Sequence, residues 1–254
     1  MKLSRSLSVL ASFSLATALP GRGHHSNKPP AFFLAGDSTT AVQSEGGGGW
    51  GDGFLSFLIP TAWGTNCGHN GATTVSFVEG GDWATVIGEV EDNKDEYDCW
   101  VTIQFGHNDQ KPAKNITLQM YQENLVELAE EVKSAGGTPV LVTPLTRRNF
   151  VSEHNATDSL HDERLATITA AEESHTTWID LNKASLAYVN AIGEEAAHSY
   201  NLAEGDNTHL SDRGSAVFGR IVADLLLQKK GYELGKWIER NETMTALIRA
   251  GLPA

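Results

Sequence analysis

Short apolar runs recur along this chain and alternate with segments of helical periodicity. The runs span residues 31–35, 99–105, 139–142 and 177–181, with a weaker one near 61–66, and turn-forming residues bound each of them. Short, continuous apolar strands of this kind suit a sheet that is covered on both faces. The alternation of strand and helix therefore predicts an α/β chain with a central parallel sheet.

Three helical segments are readable between and after these runs. The first has apolar residues at helical spacing and ends at a Gly136-Gly137 pair that favours a C-cap. Its apolar positions are Leu118, Tyr121, Leu125, Leu128 and Val132. A second helix is predicted over 160–173. Ser211 is predicted to cap a third, whose apolar stripe includes Val217 and Ile221.

The amino terminus has the layout of a secretory signal. Lys2 and Arg5 precede a short apolar stretch, and Ala16-Thr17-Ala18 offers a cleavage site after residue 18. The apolar stretch is too short to span a bilayer. We expect a signal peptide over 1–18, a linker over 19–30, one folded domain over 31–231, and a C-terminal helix or tail over 232–254.

Three sequons reinforce the prediction of a secreted, extracellular protein. Asn115, Asn155 and Asn241 each begin an N-x-T triplet, so we expect a glycoprotein. A net charge of −13 argues against nucleic acid as a partner, because phosphate binding needs a basic face. No other apolar run is long enough for a membrane anchor, and a metal role for His24 and His25 in the linker is not expected.

Polar residues of reactive types follow several predicted strands. Ser38 follows the first strand, Gly71 the second and Asn108 the third, while Asp206 and His209 lie shortly before the Ser211 helix. Taken singly, these are ordinary turn formers or helix caps. In an open parallel sheet, however, ligands bind beyond the carboxyl ends of the strands, so their joint occurrence there indicates a site.

The chemistry of this set fits a serine esterase. A serine hydroxyl becomes a good nucleophile when an imidazole takes its proton, and the imidazole needs an acceptor on its other nitrogen. Ser38, His209 and Asp206 are therefore the predicted catalytic residues. The oxyanion needs preorganised donors, which the backbone N–H groups of Ser38 and Gly71 and the side-chain amide of Asn108 can supply. Gly68 is a rival for the glycine position.

These motifs resemble the SGNH, or GDSL-type, hydrolases, over residues 32 to about 214. The matching segments are G-D-S at 36–38, Gly71, G-H-N-D at 106–109 and D-N-T-H at 206–209. The resemblance implies a three-layer α/β/α sandwich of the flavodoxin-like kind, with about five parallel strands. The segments "LAGDST", "FGHND" and "TPLTRR", with a Gly-Trp-Gly after the first helix, are similar to the rhamnogalacturonan acetylesterase branch. A glycine-rich insert at 46–49 and the lack of a cysteine-rich extension are departures.

The resemblance implies an acetylated pectic polysaccharide as substrate, with no cofactor and no metal, and we expect a monomer. Arg147 and Arg148 follow the fourth strand and could bind the carboxylates of such a polyanion. His107 could also contact substrate. The alternatives are a surface arginine pair tied to nearby carboxylates and a histidine that serves packing or hydrogen bonding.

Two other functions compete with this one. A lipase or short-chain carboxylesterase would use the same fold, but it would need an apolar channel, and the strand-end segments are rich in Gly, Asn and Thr. A non-catalytic carbohydrate-binding protein could stack sugars on Trp50, Trp63 or Trp83. Such a binder has no need for the serine, histidine and amide together.

The two cysteines are predicted to remain apart. Cys67 falls just after the second strand, at the active edge, whereas Cys99 opens the third strand about 20 Å from that edge. The family-like sheet order also puts the first strand between them. Since a disulfide needs Cα atoms within roughly 7 Å, we expect two separate, largely buried thiols.

Overall fold

The computed structural model, which describes residues 28–254, is built on a five-stranded parallel sheet. In chain order its strands are β1 (Pro30–Gly36), β2 (Trp63–Asn66), β3 (Asp98–Gln104), β4 (Thr138–Val142) and β7 (Thr177–Ile179). Across the sheet the order is β2-β1-β3-β4-β7. Strands β5 (Phe150–Ser152) and β6 (Asn155–Ala156) form a separate antiparallel hairpin. The predicted signal peptide and most of the predicted linker lie outside the described residues.

Helices cover both faces of the sheet. One face carries α2 (Thr74–Glu79), α3 (Asp82–Asn93), α4 (Leu118–Ala135) and α5 (His161–Glu173). The other carries α1 (Gly51–Leu55), α6 (Leu181–Ile192), α7 (Glu194–His198), α8 (Asp212–Leu227) and α9 (Glu242–Arg249). The predicted three-layer α/β/α sandwich is thereby confirmed.

Side-chain alternation along β1 explains why the sheet needs a helical layer on each face. Phe32 and Leu34 belong to the apolar core on the α8 side, whereas Ala31, Phe33 and Ala35 belong to the core on the α4 side. Successive strand residues point to opposite faces, so a continuous apolar run has to be buried on both. The fully buried run is thus the sequence signature of the central strand.

Two helix ends were predicted correctly from their capping residues. Gly136 ends α4 in the left-handed region, with φ of 99°, and Ser211 begins α8 by accepting a hydrogen bond from the Gly214 N–H. At the other end of α4, Thr117 accepts from the Met120 N–H. Each cap satisfies a backbone group that the helix itself leaves unpaired.

Most element boundaries differ from the sequence prediction by a residue or two, and two differences matter more. Leu181 was assigned to the fifth strand, but β7 ends at Ile179 and Leu181 begins α6, because the Asp180 side chain caps that helix by accepting from the Lys183 N–H. The Gly-Trp-Gly triplet was placed after a first helix. Trp50 instead occupies the N-cap position of α1, and the chain between Ser38 and Trp50 is turns and a short bridge.

The predicted C-terminal tail contains a short 3₁₀ turn and α9, which packs against α8. Thr245 of α9 donates to Asp224 at 2.8 Å, and the last residue, Ala254, accepts a hydrogen bond from the Tyr200 hydroxyl. Of the sequon asparagines, Asn115 and Asn155 are exposed, whereas Asn241 is half-buried and caps α9 through its side-chain oxygen. Glycosylation at the three positions stays a prediction.

No helix within residues 28–254 has the length and apolar character that crossing a membrane would require. The same residues contain no cluster of three or more His, Cys, Asp or Glu side chains arranged to hold a metal ion.

The two cysteines are free thiols, as predicted, because β1 separates β2 from β3. Cys99 is buried, while Cys67 is only half-buried. Burial raises the pKa of both thiols to about 11, assisted by Glu89 and Asp82 near Cys67 and by Asp98 near Cys99.

We expect the unreduced, denatured protein to titrate two thiols, and the native protein to react slowly near pH 8. The reason is that the thiolate is the reactive form and a raised pKa keeps it scarce. Ellman's reagent, added to native and to urea-unfolded protein, measures both quantities. Fewer than two thiols in the unfolded sample would contradict the observed topology.

Candidate active site

The serine of the G-D-S motif lies directly beyond the carboxyl end of β1. The Asp37 side chain is fully buried and accepts from both the N–H and the hydroxyl of Thr39, which closes a tight turn around Ser38. Short-range bonds of this kind are why Asp is favoured in turns. The turn leaves Ser38 with 6% of its surface exposed at the edge of the sheet.

Ser38, His209 and Asp206 form a continuous hydrogen-bonded chain. The Oγ of Ser38 lies 2.8 Å from Nε2 of His209, and Nδ1 of the same ring lies 2.8 Å from Oδ2 of Asp206. With the proton on Nδ1, donated to Asp206, Nε2 is free to accept the serine proton. The structure therefore brings together the three residues predicted to be catalytic, in the geometry that proton transfer requires.

Asp206 uses its two carboxylate oxygens for different tasks. Oδ2 meets the ring, while Oδ1 accepts from the backbone N–H groups of Thr208 and His209, at 3.1 and 2.9 Å. Partial burial acts to raise the pKa of Asp206, but the hydrogen bonds from His209 and Thr208 outweigh it and lower that pKa below its usual value of 3.8. Asp206 is thus held as the carboxylate that the imidazole needs.

This lowered pKa predicts a specific pH dependence of stability. A group whose folded pKa is below its unfolded value stabilises the fold above the unfolded pKa, here 3.8, and loses that contribution as pH falls through the folded pKa. The stabilisation that wild type has over Asp206→Asn should therefore shrink as the pH falls below about 4. Urea denaturation at a series of pH values measures it, and a pH-independent difference would contradict the prediction.

Three groups are the candidate oxyanion donors, namely the side-chain amide of Asn108 and the backbone N–H groups of Ser38 and Gly71. The Nδ2 of Asn108 donates one hydrogen to the carbonyl of Ala72, at 2.9 Å, which leaves its second hydrogen free. Within residues 28–254, the backbone N–H groups of Ser38 and Gly71 have no acceptor. By contrast, the N–H of the rival Gly68 donates to Asn66 at 3.1 Å. Because its N–H is not already used, Gly71 is a better candidate than Gly68, and its role as an oxyanion donor stays a prediction.

Lys111 is a residue of this site that the sequence analysis missed. Its Nζ donates to Oδ1 of Asn108 at 2.6 Å, so the amide of Asn108 is anchored at both ends. A charge-assisted bond to the oxygen fixes which way the amide faces. Nothing in the sequence marked Lys111, because the motif that contains Asn108 ends at Asp109.

The glycine-rich insert joins the nucleophile turn to the histidine segment. The Gly48 N–H donates to the carbonyl of Ser38 at 3.1 Å, and the Gly48 carbonyl accepts from the Leu210 N–H at 2.8 Å. A Cβ at Gly49 would lie 2.0 Å from the backbone of Thr39, so only glycine permits this approach. The insert thus connects the turn that carries Ser38 to the segment that follows His209, an arrangement that the sequence did not reveal.

Burial argues against two of the predicted substrate contacts. Arg148 is completely buried, and its guanidinium donates to Asn201 and to the carbonyl of His209. His107 is also buried, with Nδ1 3.5 Å from Oδ2 of Asp37. The burial of His107 matches the packing or hydrogen-bonding role that was the alternative for it. For Arg148, burial argues against both the substrate contact and the surface pair.

Arg147, by contrast, remains half-buried at the active edge. Its guanidinium donates to Ser159 Oγ at 3.1 Å and to the carbonyl of His107 at 3.2 Å. It forms no ion pair with a carboxylate within residues 28–254. Of the two arginines predicted to bind substrate, Arg147 is therefore the one in a position to do so.

The tryptophans considered as sugar platforms lie in or against the core. Trp50 is fully buried and donates from Nε1 to Gln104 at 2.8 Å, and Trp83 is buried and donates to Glu131. Trp63 packs edge-on against Phe33. The burial of Trp50 and Trp83 and the core contact of the half-buried Trp63 weaken the sequence feature that favoured a non-catalytic sugar-binding protein.

The fold and this geometry define an α/β serine hydrolase, and comparison with known proteins agrees. Residues 34–217 match the GDSL-like Lipase/Acylhydrolase family. The rhamnogalacturonan acetylesterase RhgT of Bacillus subtilis (strain 168) is 30% identical over 212 residues, which cover 78% of this chain and 89% of RhgT. The chain therefore belongs to the GDSL-like lipase/acylhydrolase family, in a rhamnogalacturonan acetylesterase-like branch, and it is a carboxylic ester hydrolase.

Solved structures support the fold alone. The protein YxiM of Bacillus subtilis aligns with a TM-score of 0.69 at 24% identity. The alignment covers 79% of this chain and 56% of the YxiM chain. The acetylxylan esterase Axe2 of Geobacillus stearothermophilus aligns with a TM-score of 0.59 at 21% identity, covering 85% of this chain and 98% of Axe2.

Proposed function

We propose that the protein is a secreted carbohydrate acetylesterase that removes acetyl groups from plant cell-wall polysaccharide, rhamnogalacturonan of pectin in particular. The observation that carries the proposal is the Ser38–His209–Asp206 chain with its two 2.8 Å hydrogen bonds. The identity to RhgT supplies the substrate class.

The reaction follows from the geometry. His209 Nε2 takes the proton of Ser38 as Oγ attacks the acetyl carbonyl, and the amide of Asn108 with the N–H groups of Ser38 and Gly71 stabilises the oxyanion. The imidazolium then protonates the departing sugar oxygen, which leaves an acetyl ester on Ser38. Water, activated by the same imidazole, attacks this ester and releases acetate. Asp206 keeps the ring in one tautomer throughout.

Arg147 supports an anionic substrate. The protein carries a net charge of −13, so a polymer of uronic acids needs a local cation to approach the site. The half-buried guanidinium of Arg147 contacts the carbonyl of His107, the neighbour of Asn108, and it has the fork geometry that matches a carboxylate.

Acetate release tests both parts of this proposal. We expect faster release from acetylated rhamnogalacturonan than from acetylated xylan or triacetin, and little hydrolysis of tributyrin. Arg147→Met should raise KM for the anionic polymer and leave KM for the neutral p-nitrophenyl acetate unchanged. The neutral ester is thus the internal control. Preference for tributyrin would favour the lipase alternative, and an equal rise in both KM values would exclude carboxylate binding by Arg147.

The proposal of secretion stands on Lys2, Arg5 and the Ala16-Thr17-Ala18 segment, together with the exposed sequon asparagines Asn115 and Asn155. Expression in a eukaryotic host with the native amino terminus tests it. We expect protein in the medium, beginning after residue 18, with a mass that falls after peptide N-glycosidase treatment. Full retention inside the cells would contradict it.

A further inference from the structure

The described part of the chain contains two fully buried arginines, and they differ in their partners. Arg220 donates to the carboxylate of Asp224 at 2.8 Å, whereas Arg148 forms no ion pair within residues 28–254. Burying a guanidinium without a counter-charge costs several kcal/mol, roughly, unless other bonds offset it. Arg148 is therefore held at a cost that its neutral partners have to offset.

The hydrogen bonds that Arg148 donates all go to one segment of the chain, residues 201–209. The Nε of Arg148 donates to Oδ1 of Asn201 at 2.5 Å, and Nη2 donates to the carbonyl of His209 at 2.7 Å. The backbone N–H of Arg148 donates to the carbonyl of Asn207 at 2.8 Å. One buried residue after β4 thus binds the segment at its beginning and at its end.

Segment 201–209 carries Asp206 and His209, but neither regular secondary structure nor apolar burial fixes its position. It forms no helix or regular strand, and its residues are half-buried or exposed until Leu210 enters the core. Within it, the Asn201 amide donates to Asn207 at 2.9 Å and the Leu202 N–H donates to the carbonyl of His209 at 3.0 Å. Hydrogen bonds rather than apolar packing therefore set its position.

The charge of Arg148 also bears on this segment. Burial lowers the pKa of Arg148 to about 10, while the negative charge of Asp206 acts to raise it. At neutral pH the guanidinium therefore stays protonated. By reciprocity, its charge favours the ionised form of Asp206.

We propose that Arg148 is a positioning residue, which holds segment 201–209 so that His209 stays within hydrogen-bonding distance of Ser38. It touches no substrate and acts through the backbone carbonyl of His209 and the side chain of Asn201. The inference rests on the proposed roles of Ser38 and His209. A displacement of about 1 Å at a reacting group can cost up to roughly a hundredfold in rate, so the effect of losing the tether should be measurable.

Arg148→Met tests this, with Arg220→Met as the matched control. Both variants remove a fully buried guanidinium and keep an unbranched side chain of similar length. On p-nitrophenyl acetate we expect Arg148→Met to lower kcat by about 10- to 100-fold with KM within twofold. Arg220→Met should lower the melting temperature and leave kcat of the folded enzyme near that of the wild type.

Two further variants keep the test decisive if Arg148→Met folds poorly. Arg148→Lys retains the charge with fewer donors, and we expect kcat between those of wild type and Arg148→Met. Asn201→Ala removes the acceptor of Nε, and we expect a smaller fall in kcat, again with KM unchanged. The inference would be overturned by a wild-type kcat in either folded Arg148 variant. It would also be overturned if the fall in kcat simply followed the fall in melting temperature in both Arg148→Met and Arg220→Met.

His209→Ala separates this inference from the function on which it depends. If His209→Ala abolishes activity and folded Arg148→Met does not lower kcat, only the positioning role falls. If His209→Ala retains wild-type activity, the proposed mechanism fails, and the role of Arg148 fails with it.

Discussion

Replacing Ser38 by Ala is expected to abolish esterase activity while the protein stays folded. Without Oγ there is no nucleophile for His209 to activate, and the loss of kcat/KM should be about 10³-fold or more, as for other triads. Ser38 packs little apolar surface, so the melting temperature should change by only a few degrees, roughly. Acetate or p-nitrophenol release, together with a thermal melt, measures both effects.

Ser56→Ala is a suitable control for the serine substitution. Ser56 ends α1, and its hydroxyl bonds only locally, to the carbonyl of Gly53. We expect this variant to keep full activity. Turnover near the wild-type rate in Ser38→Ala would contradict the mechanism outright, because no other described residue bonds to Nε2 of His209.

Asn108→Ala is expected to lower kcat far more than it changes KM. The free hydrogen of the Asn108 amide is needed mainly for the oxyanion, which exists only near the transition state. The loss of one such donor costs about 10²- to 10³-fold in kcat, or about 3–4 kcal/mol. Steady-state kinetics on p-nitrophenyl acetate separates the two parameters.

A second asparagine at the same edge provides the control. Asn70 is exposed, adjoins Gly71, and donates to Ser44 rather than into the site. Asn70→Ala should leave kcat within a few fold of wild type. If Asn108→Ala raises KM and leaves kcat intact, Asn108 binds the ground state and is not an oxyanion donor.

The sequence alone determined the layers of the fold and where the motifs fall on it. Strand β1 is apolar at every position from 31 to 35, and such a run can be satisfied only between two helical layers. Gly136 and Ser211 mark helix ends because their preference for those positions is local. Local signals of this kind survive in a single sequence.

Elements whose stability comes from distant contacts escaped prediction. Helix α1 has the sequence GDGFL, with two residues that disfavour helices, and it forms because Gly53 packs directly on the backbone of Ser215 in α8. Asp180 was assigned to a strand because its capping bond to Lys183 depends on where β7 ends. Neither fact is visible in the local pattern.

At the active site, the sequence supplied the residue types and tertiary structure decided their roles. Ser38, Asp206 and His209 could be named from spacing, since Asp206 and His209 are local neighbours and Ser38 follows directly after a strand. Arg147 and Arg148 looked alike in the sequence, but one is half-buried at the active edge and the other is tied to segment 201–209. Burial and partner choice depend on how distant parts of the chain pack together, and only the folded chain fixes them; Arg148 and its acceptor Asn201, for example, are 53 positions apart.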